Sequence, residues 1–444
     1  MLHHQGVTAR VARFIAQTQW SDMPPEVIHQ AKRSFMNFFA VALAGSRTEP
    51  IEIAFRSLAT FTGKEQAAVV GRRERLDALS AVFLNASAAN VHDFCDTHVK
   101  TVIHPTAPVA PPVLALSELK RTSGRDALLA FVLGNEVQAR IGLAISPDHY
   151  NRGWHITSTC GGFGAAAAAG KLLGLDERQL VWALGIAATQ AAGLCECLGT
   201  PAKSVSVGNA ARNGLWAALL AQRGFEGPNE PLAGVQGFFN ALAGPTDLSV
   251  TESFGETWQV MATSYKPYPC GFVIHPVLDC VVDWRRSHPA DEVTEVLVRG
   301  NPLMKLRADR PAIQTGRESQ VSVQHAVAAA LITGRAGVAE FTDACVRDER
   351  VRALRHRVTV ASDDSIPTVA AKVRLTLADG TVQELAQTAA RGSDANPLTD
   401  ADLEAKLRAA AADWNSAFNP GPLIAAIWAL DGSEDVSGLA AMAS

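Results

Sequence analysis

The chain has 444 residues, of which 48% are hydrophobic, and its formal net charge is −4. One hydrophobic core rarely grows to this length, so we expect two domains. The lysines and arginines are scattered and form no long basic run, which argues against a nucleic-acid-binding surface. An anionic ligand would therefore need a local cluster of positive groups.

The first 262 residues have the apolar spacing of successive α-helices. Pro24 and Pro25 open one helix and Gly45 closes it, with apolar residues at helical intervals between them. Two later helices, predicted at residues 161–175 and 207–223, are rich in glycine and alanine. Small residues let helices approach closely, so we predict a dense all-α core in which these two pack with the helix predicted between them at residues 178–190.

After residue 262 the pattern changes to strands mixed with helices. Residues 373–377 alternate apolar and polar side chains, as in a half-buried strand, and Asp379-Gly380 then predicts a hairpin turn. The helical pattern returns near residue 400. We therefore predict a mainly α protein, with a large all-helical domain from residues 1–262 and 400–444 and a smaller α+β domain from residues 263–399.

The seven cysteines are odd in number and include no CxxC pair, so we expect no disulfide framework and a reducing, cytoplasmic setting. Cys195 and Cys197 form a lone CxC, which is a weak metal signal without further ligands. The N-terminus lacks an apolar signal core, and the apolar segment 180–195 is short for a membrane span. We expect a protein without a membrane segment.

The densest polar cluster of the sequence comprises His92, Asp93, Asp96, His98 and His104. Such a group can supply an acid, a base and an orienting partner, because histidine titrates near neutral pH and a carboxylate can fix its tautomer. The alternative interpretation is a solvated loop, or histidines that cap helix ends.

Two further candidates precede the small-residue helices. His155 lies just before the first of them, where the free N–H groups and positive field of a helix start suit a carboxylate. Lys203 lies among glycine, alanine and serine before the second, and it could bind a carboxylate or act as a base. A histidine bonded to a backbone carbonyl and an exposed lysine are the alternative interpretations.

The loop that begins at Lys266 is stiffened by two prolines and is followed by His275. We interpret Cys270 in this loop as an unreactive thiol, because no neighbour clearly activates it. His325 lies on a helix predicted at residues 321–333 and could serve either a site or the core.

No glycine-rich nucleotide motif follows a strand, and the sequence contains neither a Walker loop nor an HExxH motif. Nucleotide or zinc dependence therefore has no support in the sequence. A metal-dependent hydratase would rest only on the Cys195 and Cys197 pair.

Taken together, five groups of residues resemble the MmgE/PrpD family over nearly the whole length of the chain. Any one group would be a weak signal, but the combination is specific. The groups are Asp93 to His98 with His104-Pro105, Gly153 to Thr157, Lys203 before Gly208, Lys266 to Cys270 with His275, and Arg391-Gly392 with Asn396-Pro397.

The resemblance implies a homodimer, an active site between a helical domain and an α+β lid domain, and no metal or organic cofactor. It implies that Asp93, His104, His155, Lys203 and Lys266 are active-site residues. We add residues of the same motifs, and one on the predicted helix 321–333, as candidates: Thr97, His98 and His275 for substrate binding together with Lys203 and Lys266, and His325 for the chemistry.

The sequence departs from the family pattern at four positions. Cys95 stands where the family often has an aspartate, and Ser206 stands where many members have a histidine. Gly271 and His325 occupy positions that are histidine and tyrosine in the decarboxylases of the family. These exchanges leave the substrate open.

We therefore predict an enzyme that moves a proton at the carbon beside a carboxylate of a small di- or tricarboxylic acid. Elimination of water or carbon dioxide would make it a lyase. Return of the proton to the other face would make it an epimerase, for example of an imino-dicarboxylate such as iminodisuccinate. A non-catalytic polycarboxylate-binding protein on an inherited enzyme fold is the alternative from another class.

Overall fold

The computed structural model describes residues 6–289 and 293–444 of a mainly α-helical protein, which confirms the predicted fold class. The chain forms two compact units. The first unit comprises the chain up to Val91, Cys95–Thr263 and Asp400–Ser444, and the second comprises His92–Phe94 and Ser264–Thr399. Residues 1–5 and 290–292 lie outside the described part.

Eleven described α-helices of the first unit lie before residue 264. Four strands of two residues each accompany them. The helices are α1 Val7–Gln17, α2 Pro25–Gly45, α3 Glu49–Ala59, α4 Ala78–Asn90, α5 Thr106–Leu119, α6 Gly124–Ile145, α7 Asp148–Asn151, α8 Ile156–Leu173, α9 Glu177–Ala188, α10 Ala202–Gln222 and α11 Phe238–Leu242. The strands are β1 Ala67–Ala68, β2 Arg75–Leu76, β3 Thr97–His98 and β4 Thr263–Ser264. Ser264, the last residue of β4, belongs to the second unit.

Several of these helices begin where the local sequence supplies a capping side chain. Asp77 accepts hydrogen bonds from two backbone N–H groups at the start of α4, and Ser123 accepts one at the start of α6. Asp176 and Gln179 form a reciprocal capping box at the start of α9. These contacts satisfy N–H groups that the first turn of a helix leaves unpaired, so the helix boundaries are set locally.

Helix α8 is the centre of the first unit and packs against α5, α6, α9 and α10. Its residues are buried along nearly the whole length, because residues 161–170 are glycine and alanine apart from Phe163. Gly164 of α8 faces Gly134 of α6 so closely that a Cβ at Gly164 would lie 2.8 Å from the Gly134 carbonyl oxygen. The two helices therefore meet backbone to backbone, as the composition predicts.

The second unit is built around a four-stranded sheet with the order β6-β5-β7-β8. Strand β5 runs parallel to β6 and antiparallel to β7, and β7 runs antiparallel to β8. The strands are β5 Val293–Gly300, β6 Val358–Ser362, β7 Ala371–Leu377 and β8 Val382–Gln387, and the helices are α12 His275–Arg285, α13 Pro302–Ala308, α14 Gly316–Ser319, α15 Val323–Thr333, α16 Asp343–Arg347 and α17 Glu349–Arg355.

The sheet buries one face against helices of the same unit. In β7 the side chains of Val373, Leu375 and Leu377 are buried, whereas Lys372 and Arg374 between them are exposed. The buried face shares an apolar core with residues of α12 and α15. The alternation in the sequence therefore predicts this strand and its buried face.

The chain returns to the first unit through α18 Asp400–Trp414 and α19 Gly421–Trp428. Arg33 of α2 forms an ion pair with Asp400, and the Lys406 ammonium group donates to the Asn37 amide oxygen over 2.7 Å. Short 3₁₀ segments complete the described structure at Trp20–Asp22, Cys195–Cys197, Leu248–Thr251, Gln259–Ala262, Phe272–Ile274, Val338–Phe341, Leu430–Gly432 and Ala440–Ala443.

Helix α6 is the one described helix that is long and apolar enough to cross a membrane by length and composition. Of its most apolar window, 94% is buried inside the protein, as in a core helix of a soluble protein. The burial therefore indicates that α6 is a core helix, and the cytoplasmic setting stays a prediction.

We expect Gly164→Ala to destabilise the first unit by about 1–3 kcal/mol, because the added methyl group would overpack the contact with α6. Thermal unfolding followed by circular dichroism measures the effect. Gly63→Ala is the matched control, because a Cβ there would meet no described atom within 4 Å. Equal melting temperatures for the two variants would contradict this account of the packing.

Candidate functional site

His104 lies two residues before α5, and its ring is oriented by a backbone carbonyl. Its Nδ1 atom is 2.8 Å from the Asp96 carbonyl oxygen and 3.3 Å from the Thr97 hydroxyl. A carbonyl oxygen only accepts, so the neutral ring carries its hydrogen on Nδ1 and its lone pair on Nε2. The His104 backbone N–H donates to the Thr157 hydroxyl over 3.0 Å, which ties His104 to the first turn of α8.

The Asp96 carboxyl group lies beneath this loop and is fully buried. It accepts hydrogen bonds from the Thr106 hydroxyl and, at 3.4 Å, from the Thr106 N–H. Burial raises the pKa of Asp96 to about 6, although the Thr106 hydrogen bonds oppose the increase. Asp96 thus fixes the start of α5 through its side chain and His104 through its backbone.

The turn from His98 to Ile103 leads into His104. The His98 N–H donates to the Ile103 carbonyl oxygen over 2.8 Å. The His98 ring is buried, with Nδ1 at 2.8 Å from the Thr101 hydroxyl and Nε2 at 3.2 Å from the Gln259 side-chain oxygen. These contacts favour a structural role for His98 over the predicted contact with substrate, which stays a prediction.

A buried ion pair on α6 holds the segment that contacts His98. The Glu136 carboxylate is 2.5 Å from the Arg140 guanidinium and accepts the Gln259 N–H over 2.6 Å. Arg140 also donates to backbone or side-chain oxygens of Val250, Ser253 and Thr257. Burial raises the pKa of Glu136, and the Arg140 charge opposes this shift.

His155 caps the start of α8 from a buried position. Its N–H donates to the Gly193 carbonyl oxygen over 3.0 Å, and its Nδ1 atom lies 2.6 Å from the Ser158 hydroxyl. Sequence reasoning places His155 at this helix start, and the structure confirms that α8 begins at the next residue.

Lys203 is the second residue of α10 and is likewise buried. Its carbonyl oxygen accepts the Ser206 hydroxyl over 2.7 Å. The Ser206 hydroxyl is in turn 2.5 Å from the Ser158 hydroxyl on α8. The first turn of α10 is therefore connected to the first turn of α8 by side-chain hydrogen bonds.

The structure thus brings together His104, His155 and Lys203 at the N-terminal ends of α5, α8 and α10. Their exposed fractions are 8%, 3% and 4%, so none of the three faces open solvent. The starts of three helices add partial positive charge to the lysine ammonium group. Two histidines beside this positive region can exchange a proton with a bound carboxylic acid.

In the second unit, Asp93 and Lys266 form an ion pair. The Lys266 ammonium group is 2.8 Å from the Asp93 carboxylate and donates to the Asp93 carbonyl oxygen over 3.0 Å. Asp93 has a φ of 52°, a left-handed conformation that aspartate tolerates better than most residues. The predicted active-site role of Asp93 stays a prediction, and in this contact its carboxylate pairs with Lys266.

His275 begins α12 and is buried, with Nε2 at 3.3 Å from the Cys270 carbonyl oxygen. Burial raises the pKa of the Cys270 thiol well above its ordinary range, which fits the interpretation of an unreactive cysteine. Nearby, the Asp279 carboxylate accepts the Tyr268 hydroxyl over 2.8 Å and the Arg391 N–H over 2.7 Å. These bonds hold the motif loops of this unit together.

His325 lies inside α15 and is fully buried. Its Nε2 atom is 2.7 Å from the Glu340 carbonyl oxygen, so Nε2 carries the hydrogen. Burial lowers the pKa of His325 to about 4, and the ring is therefore neutral near neutral pH. This environment favours a core histidine, and the predicted chemical role stays a prediction.

The CxC pair lies in a short 3₁₀ segment, with the Cys195 sulfur 4.0 Å from the Tyr150 carbonyl oxygen. Burial raises the pKa of Cys195, which disfavours the thiolate that metals bind. Among the described residues, no group of three or more His, Cys, Asp or Glu side chains could hold a metal ion.

Several residues that build this site have no predicted role. Thr157 and Ser158 contact the two histidines, Thr106 holds Asp96, and Gly193 accepts the His155 N–H. The available signal was a pair of hydroxyl residues in the first turn of a helix that follows a histidine. It identifies hydrogen-bonding capacity but not the partner.

Comparison with known proteins finds two matching family domains. The MmgE/PrpD N-terminal domain matches residues 9–251, and the MmgE/PrpD C-terminal domain matches residues 268–417. Cis-aconitate decarboxylase of Mus musculus is 29% identical over 457 aligned residues, which cover 98% of this chain and 93% of that protein. The human enzyme is 29% identical over 98% of this chain and 94% of its own length. Cis-aconitate decarboxylase of Aspergillus terreus is 30% identical over 76% of this chain and 74% of its own.

We compare the free energy of unfolding of the wild type with that of Asp96→Asn. The wild-type value minus the variant value should fall as the pH rises from about 4 to about 7. The pKa of Asp96 rises from the ordinary 3.8 to about 6 in the folded state. The folded state therefore holds the Asp96 proton more tightly than the unfolded state does. This contribution is present below the unfolded pKa and is lost above the folded one, on the order of 3 kcal/mol.

Urea unfolding of both proteins at several pH values measures the difference. The asparagine variant keeps the backbone carbonyl that orients His104, so any activity should persist. A stability difference that does not change with pH would contradict the raised pKa.

Proposed function

Because this chain belongs to the MmgE/PrpD family, we propose that it is a lyase that acts at the carbon beside a carboxylate of a small di- or tricarboxylic acid. The observation that carries the proposal is the clustering of His104, His155 and Lys203 at three helix starts in the first unit. The related decarboxylases named above support a lyase at the level of the family.

The proposed roles of the two histidines follow from their hydrogen bonds. The Nδ1 atom of His104 faces a carbonyl oxygen, and that of His155 faces a hydroxyl. In this arrangement Nε2 of each ring is the atom that takes or delivers a proton. We assign to Lys203 the binding of a substrate carboxylate and the stabilisation of the charge that develops on it.

This set of groups can serve either lyase reaction. In a dehydration, one neutral histidine takes the proton from the carbon beside the carboxylate and the C–O bond breaks. The other histidine, which must start as histidinium, protonates the departing hydroxide to give water. In a decarboxylation, the C–C bond to the lost carboxylate breaks, carbon dioxide leaves, and one histidinium protonates the carbon that keeps the electron pair. Either reaction passes through a carbanion that nearby positive charge stabilises.

The identity of the substrate is likewise a proposal. The relatives act on cis-aconitate according to their names, at about 30% identity to this chain. Gly271 and His325 replace residues that the resemblance gives as histidine and tyrosine in the decarboxylases. We therefore propose a polycarboxylate related to cis-aconitate, with an epimerase reaction on an imino-dicarboxylate as the alternative.

The other expectations drawn from the sequence stay predictions. They concern Asp93, Lys266, His275 and His325 of the second unit, the homodimer, and the absence of a cofactor. Multi-angle light scattering measures the oligomeric state, and elemental analysis of the purified protein tests for a bound metal.

A substrate screen by proton NMR in deuterium oxide tests the proposed reaction. We expect one of a set of di- and tricarboxylates, including cis-aconitate and 2-methylcitrate, to lose carbon dioxide or water when the protein is added. Exchange of the hydrogen beside the carboxylate with an intact carbon skeleton would identify an epimerase instead. Binding in a thermal-shift assay without turnover of any compound would favour the non-catalytic alternative.

We expect His155→Ala and Lys203→Ala each to lower kcat/KM by about 100- to 1000-fold, the effect of removing one group that stabilises developing charge. His29→Ala and Lys171→Ala are the controls, since His29 is an exposed partner of Asp400 and Lys171 bonds to carbonyl oxygens at the end of α1. Both controls should leave kcat nearly unchanged. Near-normal turnover in both site variants, with an intact circular dichroism spectrum, would refute the assignment.

A further inference from the structure

Two serines connect the His155 ring to the backbone of Lys203, and we define Ser158 and Ser206 as the serine bridge. The successive distances are 2.6 Å from His155 Nδ1 to the Ser158 hydroxyl, 2.5 Å between the two hydroxyls, and 2.7 Å from the Ser206 hydroxyl to the Lys203 carbonyl oxygen. The bridge joins the first turns of α8 and α10.

The direction of the hydrogen bonds in the bridge follows from its end point. A carbonyl oxygen carries no hydrogen, so the single hydrogen of Ser206 lies on the bond to Lys203. Ser206 must then accept the hydrogen of Ser158, and Ser158 has none left for His155. The third bond therefore needs the hydrogen on His155 Nδ1.

We propose that the serine bridge sets the tautomer of His155 and that Ser206 is a positioning residue for the reaction. The bridge places the neutral ring's hydrogen on Nδ1 and its lone pair on Nε2, the atom that exchanges a proton with substrate. Because the bridge ends on a carbonyl group, it cannot supply or remove a proton. His155 therefore takes and returns its proton through Nε2 alone.

The surroundings keep the bridge in one arrangement. Ser158 is buried, and the backbone of Gly193 covers both serines so closely that a Cβ at Gly193 would lie 2.6 Å from the Ser158 Cβ and 3.4 Å from the Ser206 Cβ. Gly193 has a φ of 132°, which L side chains rarely adopt. The same Gly193 carbonyl oxygen accepts the His155 N–H, so ring and backbone of His155 are fixed on two sides.

The bridge also couples the position of the base to that of the cation. Ser206 bonds to the carbonyl group of Lys203 itself, so a shift of the α10 first turn moves the acceptor at the end of the bridge. Ser206 therefore helps to fix the position of the His155 ring relative to the backbone of Lys203. This inference rests on the proposed function for its role in turnover, but the tautomer is a property of the resting protein.

Long-range proton–nitrogen NMR of protein with ¹⁵N-labelled histidine tests the tautomer directly. The spectrum distinguishes protonated from unprotonated ring nitrogens, and loss of one signal set in His155→Gln assigns His155. We expect neutral His155 to carry its hydrogen on Nδ1 in the wild type and to gain the Nε2–H form in Ser206→Ala, where Ser158 is released to donate to Nδ1. A wild-type His155 with its hydrogen on Nε2 would overturn the proposal without any variant.

Kinetics with the substrate found in the screen test the positioning role. We expect Ser206→Ala to lower kcat by roughly tenfold, about the factor that one intramolecular hydrogen bond provides, with little change in KM. Ser206→Thr keeps the hydroxyl group and should restore both the Nδ1–H tautomer and most of the turnover. An unchanged His155 tautomer and unchanged kcat in both Ser206→Ala and Ser158→Ala would overturn the proposal.

The two experiments separate this inference from the proposed function. The expected tautomers in a protein that turns over no polycarboxylate would support the serine bridge and reject the lyase. Turnover that depends on His155 together with an Nε2–H tautomer would support the lyase and reject the bridge.

Discussion

The first turn of α8 is the constraint on which the candidate site depends. Within four residues it carries the His155 ring, the Thr157 hydroxyl that accepts the His104 N–H, and the Ser158 hydroxyl that faces His155. A small shift of this turn would displace both histidines together. Two histidines that belong to segments far apart in sequence are thereby held as one group, as the proposed proton transfer at a single carbon requires.

The position of this turn depends on the small side chains through which α8 packs against α6 and α10. Helix α8 meets α6 at Gly134 and Gly164, where no Cβ separates the backbones. Glycine and alanine also fill the contact between α8 and α10. Helices that pack this closely bring their first turns within reach of short side chains, so serine and threonine hydroxyls can bond across from one helix to the next. Larger core residues would open gaps that these hydroxyls could not span.

Much of the architecture could be predicted from the sequence because it depends on local periodicity. The alternation at residues 373–377 indicates β7 and its buried face, and the glycine- and alanine-rich runs indicate the central helices. Hydrogen-bond partners are different, because they are chosen by the tertiary structure. Nothing local shows that Ser158 meets Ser206, that Lys266 pairs with Asp93, or that both ring nitrogens of His98 bond within the protein. The polar cluster therefore predicts a site better than it predicts the role of each member.

The Arg140 guanidinium has a consequence for how sequence changes spread through the first unit. This one group bonds to the Glu136 carboxylate and to oxygens of three residues in the 250–257 segment, and Glu136 continues through Gln259 to His98 and the turn before His104. A substitution in the middle of α6 can therefore disturb the turn that leads to His104, although the two segments are distant in sequence.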